Sequence, residues 1–144
     1  MPSIPSLPIL RQKLANSRLF LVFGCLFLAS QLLIGYIISP LDSVRLIELQ
    51  TTFSVSTFQQ IIADWESQNL LQFFYQHQIF DLFLHPVWYS IFLSTGLALS
   101  MNAAKVAEKY NAVLILPFVA GMCDVLENTM HLILISFPDF INTF

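Results

Sequence analysis

Charged residues are scarce in this chain. Only 10% of its 144 residues are Asp, Glu, Lys or Arg, against about 25% in a typical soluble domain. A soluble domain of this size needs far more polar residues to cover its surface, so a water-soluble fold is excluded. At 56% hydrophobic residues, so is disorder. Positive charge is scarcer still: six Lys and Arg against nine Asp and Glu leave a net charge of -3. That excludes a nucleic-acid partner recognised by neutralising phosphates. Cysteine is limited to Cys25 and Cys123, both in apolar runs. Neither a disulfide framework nor a Cys-x-x-Cys zinc site is available, and a buried inert thiol is the ordinary state of such residues. No internal repeat is present.

What the chain does have is long apolar runs, with a mean hydropathy of +0.71. A helix needs about 20 apolar residues to cross a bilayer. Residues 19–39 carry no charge, and Gln31 is their one strongly polar side chain. Residues 82–101 are also uncharged, with His85 near their start. Residues 112–137 form a third run, interrupted by Asp124, Glu127, Asn128 and His131. The expected fold is all-α: an integral membrane helical bundle of three transmembrane helices plus an extracytoplasmic amphipathic helix. Arg11, Lys13 and Arg18 precede the first run, but it is too long for a signal h-region and no A-x-A-like site follows, which makes it an uncleaved anchor.

Orientation follows from the basic residues. With the N-terminus inside, Arg11, Lys13, Arg18, Lys105 and Lys109 are cytoplasmic and only Arg45 lies outside. The whole chain then reads as one membrane domain in the inner (plasma) membrane. Residues 1–18 are cytoplasmic, 19–39 the first span, 40–78 an outer segment, 79–101 the second span, 102–111 a cytoplasmic loop, 112–137 the third span and 138–144 an outer tail. Pro2, Pro5 and Pro8 predict an irregular stretch over residues 1–10. In the outer segment, Phe58, Ile61, Ile62 and Trp65 recur at i, i+3, i+4 and i+7 behind Ser54, Ser56 and Thr57 as cap candidates. That pattern predicts an amphipathic helix over about residues 56–67. Residues 68–78 are expected to extend the second span outward.

The candidate site is polar and lies inside the spans. At about 100° per residue, Asp124, Glu127, Asn128 and His131 share one arc of the third span with Pro117, Ala120 and Gly121. In the second span, Asp81, His85, Trp88, Tyr89 and Phe92 share another, with His77 and Thr95. Asp81 and His85, four apart, are placed to touch, and Pro86 is expected to kink the helix. Gly24, Leu28, Gln31 and Gly35 form a stripe on the first span. Antiparallel neighbours bring these sets to similar depth in the outer half. Charge at mid-bilayer costs roughly 2.5–3.5 kcal/mol, while polar contacts between spans return about 0.6 kcal/mol on average. A functional site is therefore weighed above a structural staple.

The order Asp81-Leu82-Phe83-Leu84-His85-Pro86-Val87-Trp88-Tyr89, then Asp124-Val125-Leu126-Glu127-Asn128, resembles a group of small bacterial multi-pass membrane proteins of unassigned function with an intramembrane D-x-x-E-N motif. The resemblance covers roughly residues 48–131. It carries over Asp81, Pro86, Tyr89, Asp124, Glu127 and Asn128, leaves out His85 and His131, and implies a fourth span that is either missing here or supplied by a partner. It implies no reaction.

Two functions stay open. One is an intramembrane enzyme acting on a lipid, with Asp124, Glu127, Asn128 and His131 as catalytic residues and Asp81, His85, Trp88, Tyr89 and Gln31 as substrate contacts. Its chemistry is either acid–base or metal-dependent, with zinc or iron held by His85, His131, Glu127 and Asp124. The other is a non-enzymatic accessory subunit whose polar face docks on a partner membrane protein or, as a homo-oligomer, on itself.

Overall fold

A computed structural model describes residues 6–137, and 86% of them are helical, with no strand among them. The tail expected over 138–144 lies outside the described residues. The elements in chain order are α1 (Ser6–Leu14), α2 (Ser17–Ile38), α3 (Ser43–Thr51), α4 (Val55–Ser67), α5 (Leu71–Phe83), α6 (His85–Ala103), a 3-10 segment (Glu108–Ile115) and α7 (Leu116–Ser136). Two of these, Ser17–Ile38 and Glu108–Ser136, are long and apolar enough to cross a membrane, and a third is obtained if the bent pair α5–α6 counts as one span.

Polar side chains punctuate the helices where the backbone has spare donors. Asn16 caps α2 by accepting from the Arg18 and Leu19 amides, Asp42 caps α3 through Val44 and Arg45, and Ser54 caps α4 through Thr57. Asn69 ends α4 with a φ of 57°, a left-handed conformation that Asn tolerates, and the Leu70 amide closes back onto the Trp65 carbonyl at 2.8 Å. Between α5 and α6 the helical ladder stops at Leu84. The two helices meet at a 43° bend, because Pro86 has no amide hydrogen and opens α6 as a first-turn residue.

Two expectations change here. The stretch read as irregular up to Leu10 is helical from Ser6, since Pro8 falls in the first turn, where a missing amide costs nothing. Helix α3 is an additional element: the Asp42 cap precedes Leu46 and Leu49, both buried.

Helix α6 lies between α2 and α7, and α5 lies across α2 and α7 at the end of the bundle that carries α3 and α4. Close approach of α2 and α6 rests on two glycines that each take an aromatic ring from the opposite helix. A Cβ on Gly24 would sit 3.0 Å from Phe92, and one on Gly96 2.9 Å from Phe20. The rings of Phe20, Phe92 and Phe27 stack along this seam, with centroids 4.9 and 5.5 Å apart. The expected stripe on α2 is thereby corrected. Leu28 is 62% exposed and a Cβ on Gly35 would meet nothing within 4 Å, so the packed side runs through Phe20, Gly24, Phe27 and Ser30. At the α5 end, Leu41, Leu46, Leu49, Phe58, Ile61, Trp65 and Phe74 form a separate apolar cluster that joins α3, α4 and α5.

Candidate functional site

The bend at Leu84 sets the site. It aims α5 across the bundle end so that Phe74, His77 and Gln78 are buried and Asp81 is half-buried. His77 Nε2 lies 3.7 Å from Asp81 Oδ2, one helical turn away. From α7, Asn128 Nδ2 donates to the same oxygen at 3.5 Å. His131, a turn further along α7, is buried between the rings of Phe58 and Phe74, with centroids 6.4 and 6.3 Å away. His77 is within electrostatic reach of Asp81, His85 and His131. Phe74 joins His77 and His131, with its ring centroid 6.3 Å from each.

This cluster is under-satisfied. His77 Nδ1, both polar atoms of the Gln78 side chain, Asp81 Oδ1 and His131 Nδ1 are buried without a hydrogen-bond partner. Each such group costs about 1–3 kcal/mol, so the arrangement is a poor staple and an open set of donors and acceptors. Beside it, Phe58, Ile62, Leu71, Leu134 and Ile135 line an apolar groove of about 340 Å³ between α4, α5 and α7, with Glu66 and Gln59 on its wall. Phe58 forms the partition between groove and cluster, facing the groove and stacking on His131.

The remaining candidates fall into separate places. Tyr89 Oη donates to Asp124 Oδ2 at 2.8 Å across α6 and α7. His85 turns to α2, where Ser30 Oγ is 2.8 Å from its Nδ1 and Gln31 Nε2 is 3.1 Å from its Nε2. The direct Asp81–His85 contact is not made, because the break between the two residues resets the helical phase. Trp88 sets its ring edge-on to Phe80 at 5.9 Å and takes no part in the polar bonds. Glu127 is exposed, as is Ala120, so the packed side of α7 centres on Gly121, Asp124 and Asn128 rather than on the whole arc. His131 lies towards the same edge but is buried by Phe58 and Phe74 of the apolar cap formed by α3, α4 and α5. His77, on the same arc as Asp81, is the residue paired with it. Ser30 and Gln78 belong to the buried polar set as well, and only their polarity inside apolar helices marks them in the sequence.

The proposed metal ligands do not converge. Among the described residues no group of three or more His, Cys, Asp or Glu is arranged to hold a metal ion. His85 is engaged by Ser30 and Gln31, Asp124 by Tyr89, and Glu127 is exposed. The set His85, His131, Glu127 and Asp124 does not fit zinc or iron.

The Tyr89–Asp124 bond joins two helices that also pack through small residues. Tyr89→Phe is expected to destabilise the protein in detergent by only about 0.6 kcal/mol, and by no more than about 1.7 kcal/mol, in a chemical unfolding titration. A larger loss would make this pair the main tie between α6 and α7.

No protein-family model, curated protein or solved structure matches the chain. The class that fold and site define is an all-α chain with helices apolar enough to cross a membrane and a polar cluster enclosed between them.

Proposed function

We propose that this chain is an intramembrane enzyme that transfers a proton to or from a lipid, with the His77–Asp81 pair as the acid–base group. Asn128 orients the carboxylate, and His131 stacks on Phe58, whose ring walls the neighbouring groove in which the lipid chain is seated. The observation that carries the reading is the set of buried, unpartnered polar atoms on His77, Gln78, Asp81 and His131, next to a groove sized for part of an acyl chain. A His beside a carboxylate can give or take a proton near neutral pH. The basic residues favour a cytoplasmic N-terminus in a bacterial inner membrane, and the site then opens to the outer leaflet.

The test uses purified protein in vesicles of bacterial polar lipid extract, with lipid composition followed by mass spectrometry. Wild type is expected to convert one lipid species, and Asp81→Asn to slow that conversion by about 100-fold or more, in keeping with the usual 10²–10⁴-fold of general acid–base catalysis. An unchanged lipid profile with wild type, or wild-type turnover by a folded Asp81→Asn variant, would sink the proposal.

One observation favours a second reading, the accessory subunit. Ala120, Cys123 and Glu127 are exposed along one side of α7. Small residues permit close helix approach, and a carboxylate facing hydrocarbon is costly, so a second copy or a partner membrane protein would cover them. On this reading Glu127→Gln reduces the mass of the detergent-solubilised particle; on the enzymatic reading it leaves that mass unchanged.

A further inference from the structure

At the opposite end of the bundle, α1 packs against α6 and the 3-10 segment. There Arg11 is 92% removed from solvent, with only 8% exposed. Its guanidinium is held by neutral acceptors alone: Nε donates to Asn102 Oδ1 at 2.7 Å, and Nη1 to the Val106 carbonyl at 2.8 Å and to Asn111 Oδ1 at 3.1 Å. Among the described residues Arg11 forms no ion pair. Its Nη2 makes no hydrogen bond there and is not among the fully buried atoms. Such a guanidinium has been positioned but not neutralised, an arrangement that calls for an anion.

The surroundings supply the rest of a site. Arg11 lines a cavity of about 500 Å³ together with Asn102, Lys105, Glu108 and Asn111. Asn111 is fully buried, and its Nδ2 is a donor with no partner. Lys105 sits in the left-handed region at φ 52°, where the chain reverses after α6. Against these two cations stands one carboxylate, Glu108, so the lining carries a net charge of +1 (Arg11 and Lys105 less Glu108). Phosphate oxygens match a guanidinium fork and a lysine in this arrangement. Tyr110, exposed with the Lys109 ammonium 5.0 Å from its ring centroid, has the character of an interfacial anchor beside the cavity. Basic pockets between helices at the end of a bundle are a known means of holding phospholipid headgroups.

We infer that the cavity between α1, the end of α6 and the 3-10 segment binds a phosphate group, with Arg11 Nη2, Lys105 and Asn111 Nδ2 as its donors. The ligand class is a phosphate ester, carried by a phospholipid headgroup of the adjoining leaflet or free in solution. The site is separate from the histidine cluster and does not depend on the reaction proposed for it.

The experiment is native mass spectrometry of the full-length protein in detergent. It is titrated with short-chain phosphatidylglycerol, with the matching phosphate-free diacylglycerol, and with inorganic phosphate. Lys105→Asn is the main variant, since Asn accepts the left-handed backbone and only the charge is lost. Arg11→Gln is the second. Wild type is expected to retain phosphatidylglycerol at least about tenfold better than diacylglycerol, with that preference cut roughly tenfold in Lys105→Asn and abolished in Arg11→Gln. If inorganic phosphate competes equally well, the phosphate site stands and its ligand is a free ester. If only the lipid binds, the site is a headgroup pocket. Equal retention of the two lipids by wild type, or an undiminished preference in Lys105→Asn, would overturn the inference whether or not Arg11→Gln folds.

Discussion

Replacing Phe74 by alanine is expected to cost roughly 3–5 kcal/mol, the range for removing a fully buried aromatic ring. Phe74 has no exposed surface and stands where the apolar cap meets the polar cluster. Its ring lies 5.3 Å from Trp65, and 6.3 Å from both His77 and His131. Collapse into the vacated space is restricted, because the partners come from three helices, α4, α5 and α7. The loss should be local. Hydrogen exchange in α4 should quicken while α2, which packs on α6 through Gly24 and Gly96, stays protected. Phe74→Leu, which keeps most of the volume, should cost less than about 1.5 kcal/mol. Unfolding by denaturant in detergent, read beside exchange, decides the matter. A global loss of protection would mean that the cap and the bundle unfold as one unit.

Placing a leucine at Gly121 is expected to separate α6 from α7. Even a Cβ there would meet Ser90 Oγ at 2.5 Å and the backbone oxygen of Pro86 at 3.2 Å. The serine cannot simply turn aside, since its hydroxyl donates to the Pro117 carbonyl at 2.8 Å. The backbone oxygen at the helix break has no rotamer to change. Overpacking costs about 1–3 kcal/mol or more, and Gly121→Leu should sit at or above the top of that range. Gly121→Ala isolates the cause. Combined with Ser90→Ala it should recover part of its loss, giving an interaction energy of about 0.5–3 kcal/mol in a double-mutant cycle. Strict additivity of the two changes would place the obstruction at Pro86 rather than at the hydroxyl. Separation should also break the Tyr89–Asp124 bond, visible as loss of the change in stability that Tyr89→Phe otherwise produces.

The elements that could be read from the sequence were those with a one-dimensional signature. Helix α2 is an unbroken apolar run, and α4 shows its buried side as Phe58, Ile61 and Trp65 behind the Ser54 cap. Helix α3 has the same signature in miniature, Asp42 followed by Leu46 and Leu49, but it is short and was overshadowed by the runs on either side. In the site, helical spacing alone puts Asp124 and Asn128 on one side of α7 and Tyr89 on the facing side of α6, but it does not pair them. Nor does it give the partners of His85. Angular position on a helix says which side a residue occupies but not which neighbour stands there, and the break at Leu84 destroys the phase between Asp81 and His85. Glu127 shows the complementary limit. It lies at the edge of the polar arc, and whether an edge position is covered depends on the width of the neighbouring helix. His77 and Gln78 precede the longest apolar stretch of the second span and so look like headgroup residues. They are buried because α4 and α7 close over α5.

The distribution of hydroxyls on α6 bears on how the protein is made. Helix α2 is apolar enough to leave the insertion machinery for lipid by itself, whereas α6 reaches that standard only jointly with α5. Its buried residues include His85, Ser90, Ser94 and Thr95. Ser90 and Ser94 find their acceptors on the carbonyls of Pro117 and Leu114, in a segment that is synthesised later. Until that segment emerges, both hydroxyls lack those partners, and α6 has little to gain from meeting lipid alone. On the proposed membrane location, assembly is expected in two events during translation: α2 first as an anchor, then α6 and α7 together as a hairpin that carries its own hydrogen bonds.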